Sequence, residues 1–166
     1  AGVDVTHLDA HMGSALAPEW CDRYVALGVE YDVPVLITGT LGGYGPNNHL
    51  ADVTEDRFAP FVDAARSAGM PVFGRVLETD FSRPRGAPFD YRSMLVSATE
   101  ELVYCAFHPC RPGPGEIEVI EPGAHHVRVD EYHWFGTDEW CGWLDDSPIE
   151  VIGMRGLRDE WRSRSR

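Results

Sequence analysis

The sequence predicts an α/β protein in which short strands alternate with helices. Pro34–Thr38 and Leu102–Phe107 are largely apolar runs of strand length, which is typical of strands buried on both faces of a parallel sheet. The segment after Pro18 instead repeats its apolar residues at helical spacing. Because strands that alternate with helices usually pair in parallel, these patterns favour a parallel sheet.

The first half of the chain follows the order strand, helix, strand, helix, strand. We expect the first helix to begin at Pro18, because proline suits the first helical position and Glu19 places a negative charge in the first turn. Thr54 is predicted to cap the second helix, which ends at Gly69. The three strands of this half are predicted at residues 3–9, 34–38 and 71–77.

The second half continues the alternation. A helix over Tyr91–Glu100 leads to the strand Leu102–Phe107, and helices at residues 124–135 and from Thr137 onward lead to a fifth strand, Ile149–Gly153. With 166 residues and 43% hydrophobic content, the chain can bury one good core. We therefore expect a single domain over residues 1–166.

Composition and charge exclude several functions. A formal net charge of −13 repels phosphate backbones, so nucleic acid is not an expected partner. There is no signal-like start and no apolar run near the roughly 18 residues of a membrane span, so we expect the chain neither to span nor to enter a membrane. Four cysteines without a Cys-x-x-Cys pair predict reduced, mostly buried thiols in a cytoplasmic protein: Cys21, Cys105, Cys110 and Cys141.

The most informative motif lies near the amino terminus, where His7, Asp9 and His11 alternate with Leu8 and Ala10. Alternate side chains of a strand share one face, so two imidazoles and one carboxylate would converge at the strand's end. On a helix, Asp9 would lie on a different side from the two histidines. The pattern suggests a metal or acid/base site, and the alternative is a buried polar ladder that satisfies only its own hydrogen bonds.

A second strand supplies His108, which ends the run Leu102–Phe107. Functional groups of parallel sheets and (β/α) barrels gather at the carboxyl ends of the strands, where the amino-terminal motif is also predicted to lie. We therefore expect both strands to offer histidines to one rim. The structural alternative for His108 is a hydrogen bond to a nearby carbonyl. The remaining histidines of the polar segment 124–135 are expected on a solvated face: His125, His126 and His133.

Four blocks of the sequence form an ordered set: Thr6–Gly13, Phe107–Pro109, Arg128–Phe135 and Ile149–Leu157. In this order they resemble successive blocks of the YdjC-like carbohydrate deacetylases, the ChbG/HpnK group. The Thr-His-Leu-Asp-x-His pattern of the first block is quite specific. The His-Pro pattern gains its weight from its position in the series, and the resemblance covers nearly the whole chain.

The resemblance implies a metal-dependent deacetylase on a distorted (β/α) barrel of the polysaccharide-deacetylase-like type. Its expected partner is an N-acetylated sugar or oligosaccharide. The resemblance also implies that His11 is a ligand of a divalent metal ion of the Mg²⁺ or Zn²⁺ type, while His7 and Asp9 orient ligands or substrate. His108 would then be the general acid.

The same resemblance implies that the chain is the carboxy-terminal portion of a longer enzyme. In the family, an Asp-Asp-Phe-Gly block and a second amino-terminal block supply the other metal ligands, and neither block is present here. A complete barrel of this kind needs about 250 residues. We therefore expect the chain by itself to bind metal poorly, to be inactive and to self-associate as a homo-oligomer.

Two other functions fit the same residues. A different metal-dependent hydrolase on a similar barrel would use His7, Asp9 and His11 as direct ligands, and its metal content and substrates would distinguish it. A non-catalytic binding or interaction protein derived from such a barrel would keep the histidines without using them in a reaction.

Overall fold

The computed structural model describes residues 2–164, which contain seven α-helices and two strands. The helices are α1 (Pro18–Glu30), α2 (Glu55–Ser67), α3 (Tyr91–Val96), α4 (Glu116–Ile120), α5 (His125–Phe135), α6 (Asp138–Asp146) and α7 (Met154–Arg164). The strands are β1 (Arg75–Glu78) and β2 (Val103–Ala106), and 3₁₀ helices occupy His11–Leu16 and Leu41–Gly43.

Backbone pairing between the strand segments is parallel. β1 and β2 form a two-stranded parallel sheet. Two isolated parallel bridges join the segments that precede them: Leu8 pairs with Val35, and Thr38 pairs with Phe73. This pairing confirms the predicted α/β class. Among residues 2–164 the regular strands are few and short, and the structure does not confirm the barrel itself.

The fifth predicted strand is wrong, because Ile149–Gly153 has no regular secondary structure. Val151 is 71% exposed and Ile152 is 50% exposed, so no described segment covers the apolar side chains that suggested a buried strand. The chain instead enters α7, a helix that the sequence analysis did not predict.

The predicted start of α1 and the predicted end of α2 agree with the structure, whereas only one of the two predicted caps does. α1 begins at Pro18, and the chain leaves α2 through Gly69, whose φ of +67° lies in the left-handed region that favours glycine. Thr54 precedes α2 but its side chain makes no capping hydrogen bond. Thr137 does cap α6, because its hydroxyl accepts a hydrogen bond from the Trp140 N–H at 3.1 Å.

The chain divides into two compact units. Unit 1 comprises Ala1–Val76, Glu100–Tyr104 and Val151–Arg166, and unit 2 comprises Leu77–Thr99 and Cys105–Glu150. In unit 1, α1 packs so closely that a Cβ on Gly28 would lie 2.5 Å from Cγ1 of Val35. The fully buried side chains of this core include Cys21, Val35, Ile37, Phe58 and Val62.

The carboxy-terminal helix α7 completes unit 1. Trp161 is 6% exposed and belongs to the core, and its indole N–H donates to the Ala68 carbonyl at 3.3 Å. Arg158 is also buried, and it donates to the Asp4 carboxylate and to the Val5 carbonyl, the latter at 2.8 Å. α7 therefore anchors the segment that leads into the amino-terminal histidine motif.

Unit 2 is packed around aromatic rings. Tyr91 on α3 stacks on Trp134 with ring centroids 5.9 Å apart, and it also meets Phe135 at 5.2 Å. Phe135 in turn packs against Phe107 at 4.6 Å and against Trp140 at 4.9 Å. Because Phe107 directly precedes His108, this cluster fixes the chain where β2 ends.

No helix among residues 2–164 combines the length and the apolar character needed to cross a membrane. The prediction of mostly buried thiols is wrong: Cys21 is buried, whereas Cys105 and Cys141 are exposed and Cys110 is intermediate.

Candidate active site

The amino-terminal motif lies beside residues 34–36 in unit 1. The Leu8 N–H donates to the Pro34 carbonyl, and the Leu36 N–H donates to the Leu8 carbonyl, both at 2.9 Å. Leu8 packs against the core and Ala10 is 9% exposed, so the even positions face inward. Of the odd positions, Asp9 and His11 are exposed and His7 is half-buried.

The alternation ends at His11, which is the first residue of a 3₁₀ helix. Met12 (φ 53°) and Gly13 (φ 75°) are both in the left-handed region, so the chain turns sharply directly after the histidine. Asp9 and His11 are exposed. His7 is half-buried, and its Nδ1 lies 2.9 Å from Oγ1 of Thr6.

The described residues do not by themselves form a metal site. Within residues 2–164, no group of three or more His, Cys, Asp or Glu side chains is arranged to hold a metal ion. Protein metal sites usually have three or four such ligands. His11 is exposed and has an imidazole that could coordinate a metal, but the structure does not add a second and a third ligand to it.

His108 in unit 2 has a much more constrained environment. It follows β2, and its backbone N–H donates to Oε2 of Glu131 at 2.6 Å. Its half-buried ring meets the ring of Phe81 edge-on, with centroids 5.2 Å apart. Arg128 lies over the same Phe81 ring at 5.0 Å from its centroid. The position of His108 is therefore fixed through its backbone and through its ring.

Glu131 is a candidate site residue that the sequence analysis did not single out. It lies on α5 and is 0% exposed, and a carboxylate so deeply buried is uncommon unless it is hydrogen-bonded. Oε2 of Glu131 accepts the hydrogen bond from the His108 N–H. Oε1 of Glu131 and Nδ1 of His108 are both buried and have no hydrogen-bond partner. The sequence held only a weak signal, namely the presence of Glu131 in the Arg128–Phe135 block.

Arg128, which lies over the Phe81 ring, is paired with Glu121. Arg128 forms a two-bond contact with the Glu121 carboxylate, through Nε and through Nη2, the latter at 2.7 Å. These hydrogen bonds hold the pKa of Glu121 below its ordinary value. Arg128 is thereby positioned with its guanidinium over Phe81.

Two histidines of α5 are buried, which corrects the prediction of a solvated face. His126 is 9% exposed and its Nε2 lies 2.7 Å from the Arg83 carbonyl. His125 is 8% exposed and its Nδ1 lies 3.2 Å from the Pro122 carbonyl. Only His133 is exposed as predicted. The first two histidines satisfy backbone carbonyls and so have a structural role.

The arrangement around His108 is suited to proton transfer. His108 is a candidate for general acid/base catalysis, because its half-buried imidazole meets Phe81 edge-on and its backbone N–H is bonded to the buried Glu131 at the end of a strand. The amino-terminal motif belongs to unit 1 and His108 belongs to unit 2. Each unit thus contributes candidate site residues of its own.

The helices and the parallel strand segments place the chain in the α/β class. The chain belongs to the YdjC-like protein family, whose family model matches residues 1–146. This family is related to carbohydrate deacetylases. No curated protein matches the sequence. Helix α7 lies beyond the matched residues.

Proposed function

We propose that the protein removes acetyl groups from N-acetylated sugars or oligosaccharides. The observation that carries this proposal is the hydrogen bond from the His108 backbone N–H to the buried Glu131, which fixes the chain at a strand-end histidine in a member of the YdjC-like family. A deacetylase needs such a group, because an amine leaves an amide only poorly unless it is protonated.

In the proposed reaction, water adds to the carbonyl carbon of the acetamide and gives up a proton to a carboxylate base, and the bond from that carbon to nitrogen breaks. His108 donates a proton to the departing nitrogen, and proton exchange with solvent resets the base and His108, so the products are acetate and the free amino sugar. Glu131 acts on His108 through the backbone N–H and is a positioning residue in this scheme. Phe81 packs edge-on against the imidazole.

A divalent ion of the Mg²⁺ or Zn²⁺ type is part of the proposal, with His11 as one ligand and with His7 and Asp9 as orienting groups. When bound, such an ion polarises the acetyl carbonyl and lowers the pKa of its bound water. Because residues 2–164 contain no group of three ligating side chains, at least two more ligands are required besides His11.

The test is acetate release from N-acetylglucosamine and its β-1,4-linked trimer, with Mg²⁺ or Zn²⁺ added and with a chelator as the control. The assay uses the whole protein. Metal content measured in parallel should fall to near zero in His11→Ala, whereas His7→Ala should weaken metal binding by only about 10- to 100-fold. Full metal content in His11→Ala would assign the ligand role to another residue.

A second candidate function is a non-catalytic binding protein built on the same fold. The observation that favours it is the lack of a three-ligand group among the described residues. Sugar binding without acetate release, under every metal condition of the same assay, would support this second function and would overturn the first.

A further inference from the structure

We propose that helix α1 in unit 1 is the contact surface of a symmetric dimer, in which the same face of two copies packs antiparallel. The inference does not rest on the proposed deacetylase function. Three large side chains carry it: Trp20 is 61% exposed, Leu27 is 44% exposed and Tyr31 is 62% exposed. Trp20 and Leu27 lie on α1, and Tyr31 directly follows the last residue of the helix.

The three side chains form one stripe along α1. With about 3.6 residues per turn, positions seven and eleven residues after Trp20 point within roughly 20° of its direction. Tyr31 keeps the helical direction, because its N–H donates to the Leu27 carbonyl at 3.0 Å. The stripe borders the buried face of the helix, where Cys21 and Tyr24 belong to the core of unit 1. It is therefore a continuous apolar surface about 16 Å long, and continuous apolar surfaces mark interaction sites whereas scattered apolar residues do not.

Two exposed charges beside the stripe complement each other when two copies pack antiparallel. Arg23 and Glu30 lie on the flank of α1 that is away from the core. If Trp20 is opposite Tyr31 of the second copy, Arg23 of each copy comes within about 3 Å of Glu30 in the other, measured along the helix axis. The two-fold axis repeats this contact, so two Arg23–Glu30 pairs form. Within residues 2–164 neither side chain is already in an ion pair.

The same charges disfavour a parallel arrangement. Parallel packing of the stripe would place Arg23 opposite Arg23 and Glu30 opposite Glu30, and like charges brought together destabilise an interface. The antiparallel pair instead sets the rings of Trp20 and Tyr31 against each other at both ends, with Leu27 of both copies between them. Because each exposed group of the stripe meets a suitable group on a second copy of the same stripe, the partner that this surface fits is the protein itself.

The size of the stripe predicts a weak dimer. A tryptophan or tyrosine side chain buries roughly 150–250 Å², so the exposed parts of the three side chains from two copies amount to about 700 Å² before the charged pairs are counted. Interfaces below about 1,200 Å² belong to transient complexes, so we expect a Kd of about 10–100 μM. The net charge of −13 opposes association, and this repulsion is screened at about 0.15 M salt, where the Debye length is roughly 8 Å.

The experiment is sedimentation velocity of the whole protein from about 1 to 500 μM at about 0.15 M salt. The wild type should change from monomer to dimer over this range. Trp20→Ala should weaken the dimer by about 30-fold, because tryptophan is among the residues that carry most of the binding energy of an interface. Val29→Ala is the matched control and should dimerise like the wild type, because Val29 is 43% exposed on the opposite side of the same helix.

Charge reversal tests the antiparallel arrangement. Arg23→Glu and Glu30→Arg should each weaken the dimer by about 10-fold, because each replaces two attractive contacts with two repulsive ones. The double variant with both substitutions should dimerise like the wild type, since it exchanges the two charges and restores both pairs. A parallel dimer would instead be insensitive to either single substitution.

Three results would overturn the proposal. The first is a monomer at every concentration, and a lowered Tm of Trp20→Ala in that case would show that another part of the same protein covers the stripe. The second is equal dimerisation of Trp20→Ala and Val29→Ala, which would place the contact elsewhere. The third is a double charge variant that dimerises no better than the single variants.

Discussion

His11 and His108 have opposite environments within their own units. His11 is exposed, starts a 3₁₀ helix and precedes two residues with left-handed backbone conformation. His108 has its backbone N–H bound to the fully buried Glu131 and its ring against Phe81. A specific sequence motif therefore does not by itself produce a rigid site. The motif with the stronger sequence signal is the less constrained one.

The difference bears on function, because catalytic geometry must be fixed before the reaction whereas a metal ion can organise its own ligands on binding. The surroundings of His108 are already organised by the fold. The described residues do not organise the amino-terminal motif in the same way.

The largest expected effect is that of His108→Ala on turnover. Because this substitution removes the proposed general acid, it should reduce acetate release from N-acetylated substrates by about 10²- to 10⁴-fold. An activated aryl acetate, whose leaving group needs no proton, should be much less affected and is the control substrate. Equal losses on both substrates would show that His108 has a structural role instead.

The second effect is the destabilisation caused by Glu131→Ala. The substitution leaves the His108 N–H without its acceptor and opens space at a fully buried position, so the free energy of unfolding should fall by about 2–4 kcal/mol. Urea denaturation would measure this. Glu150→Ala, at an exposed position, should change stability by less than about 0.5 kcal/mol. Similar values for the two variants would contradict a supporting role for Glu131.

The third effect concerns the anchor of the amino-terminal motif. Arg158→Met should lower the free energy of unfolding by about 1–3 kcal/mol, since it removes a buried guanidinium from the Asp4 carboxylate and the Val5 carbonyl. Arg164→Met is the matched control, because Arg164 pairs with Glu160 at the surface and is 75% exposed. A Tm for Arg158→Met as high as that of the control would show that α7 does not anchor this segment.

A smaller effect should appear in acid. The hydrogen bonds from Arg128 hold the pKa of Glu121 below its ordinary value of 4.5. A lowered folded-state pKa means that the stabilisation is complete above the ordinary value and is lost as the pH falls through the folded value. Because the Glu121 side chain is 33% exposed, we expect only about 0.5 kcal/mol.

Measuring urea stability at about pH 6 and at about pH 3 would test this prediction. The wild type should lose the Glu121 contribution between the two conditions, and Glu121→Gln should show a correspondingly smaller drop. An identical drop in both proteins would argue against a stabilising ion pair between Arg128 and Glu121.

The smallest effect is expected at His7. Its single side-chain hydrogen bond, to Thr6, lies at a half-buried position, so His7→Ala should change the free energy of unfolding by no more than about 0.5 kcal/mol. Thermal melting without added metal would measure it. A loss as large as that of Glu131→Ala would mean that the two regions are equally constrained and would remove the basis of the comparison.

Local signals predicted where several helices begin or end, but they predicted neither α7 nor the absence of a strand at Ile149–Gly153. Pro18 marks the start of α1, Gly69 follows α2, and Thr137 caps α6, because these preferences depend on nearby backbone. The strand predicted at residues 3–9 has a single paired residue, Leu8. Strand pairing depends on neighbours that are remote in sequence, and these neighbours cannot be identified from an apolar run.

The sequence by itself determined the α/β class, the YdjC-like family and two candidate histidines, His11 and His108, because patterning and motif order are properties of the chain. Tertiary structure alone decided that Glu131 holds the His108 backbone and that His125 and His126 are buried. It also decided that Ile149–Gly153 is not a strand. The physical reason is that burial and hydrogen bonding depend on which distant residues surround a side chain. Identical local sequence signals can therefore lead to an exposed imidazole or to one that the fold holds in place.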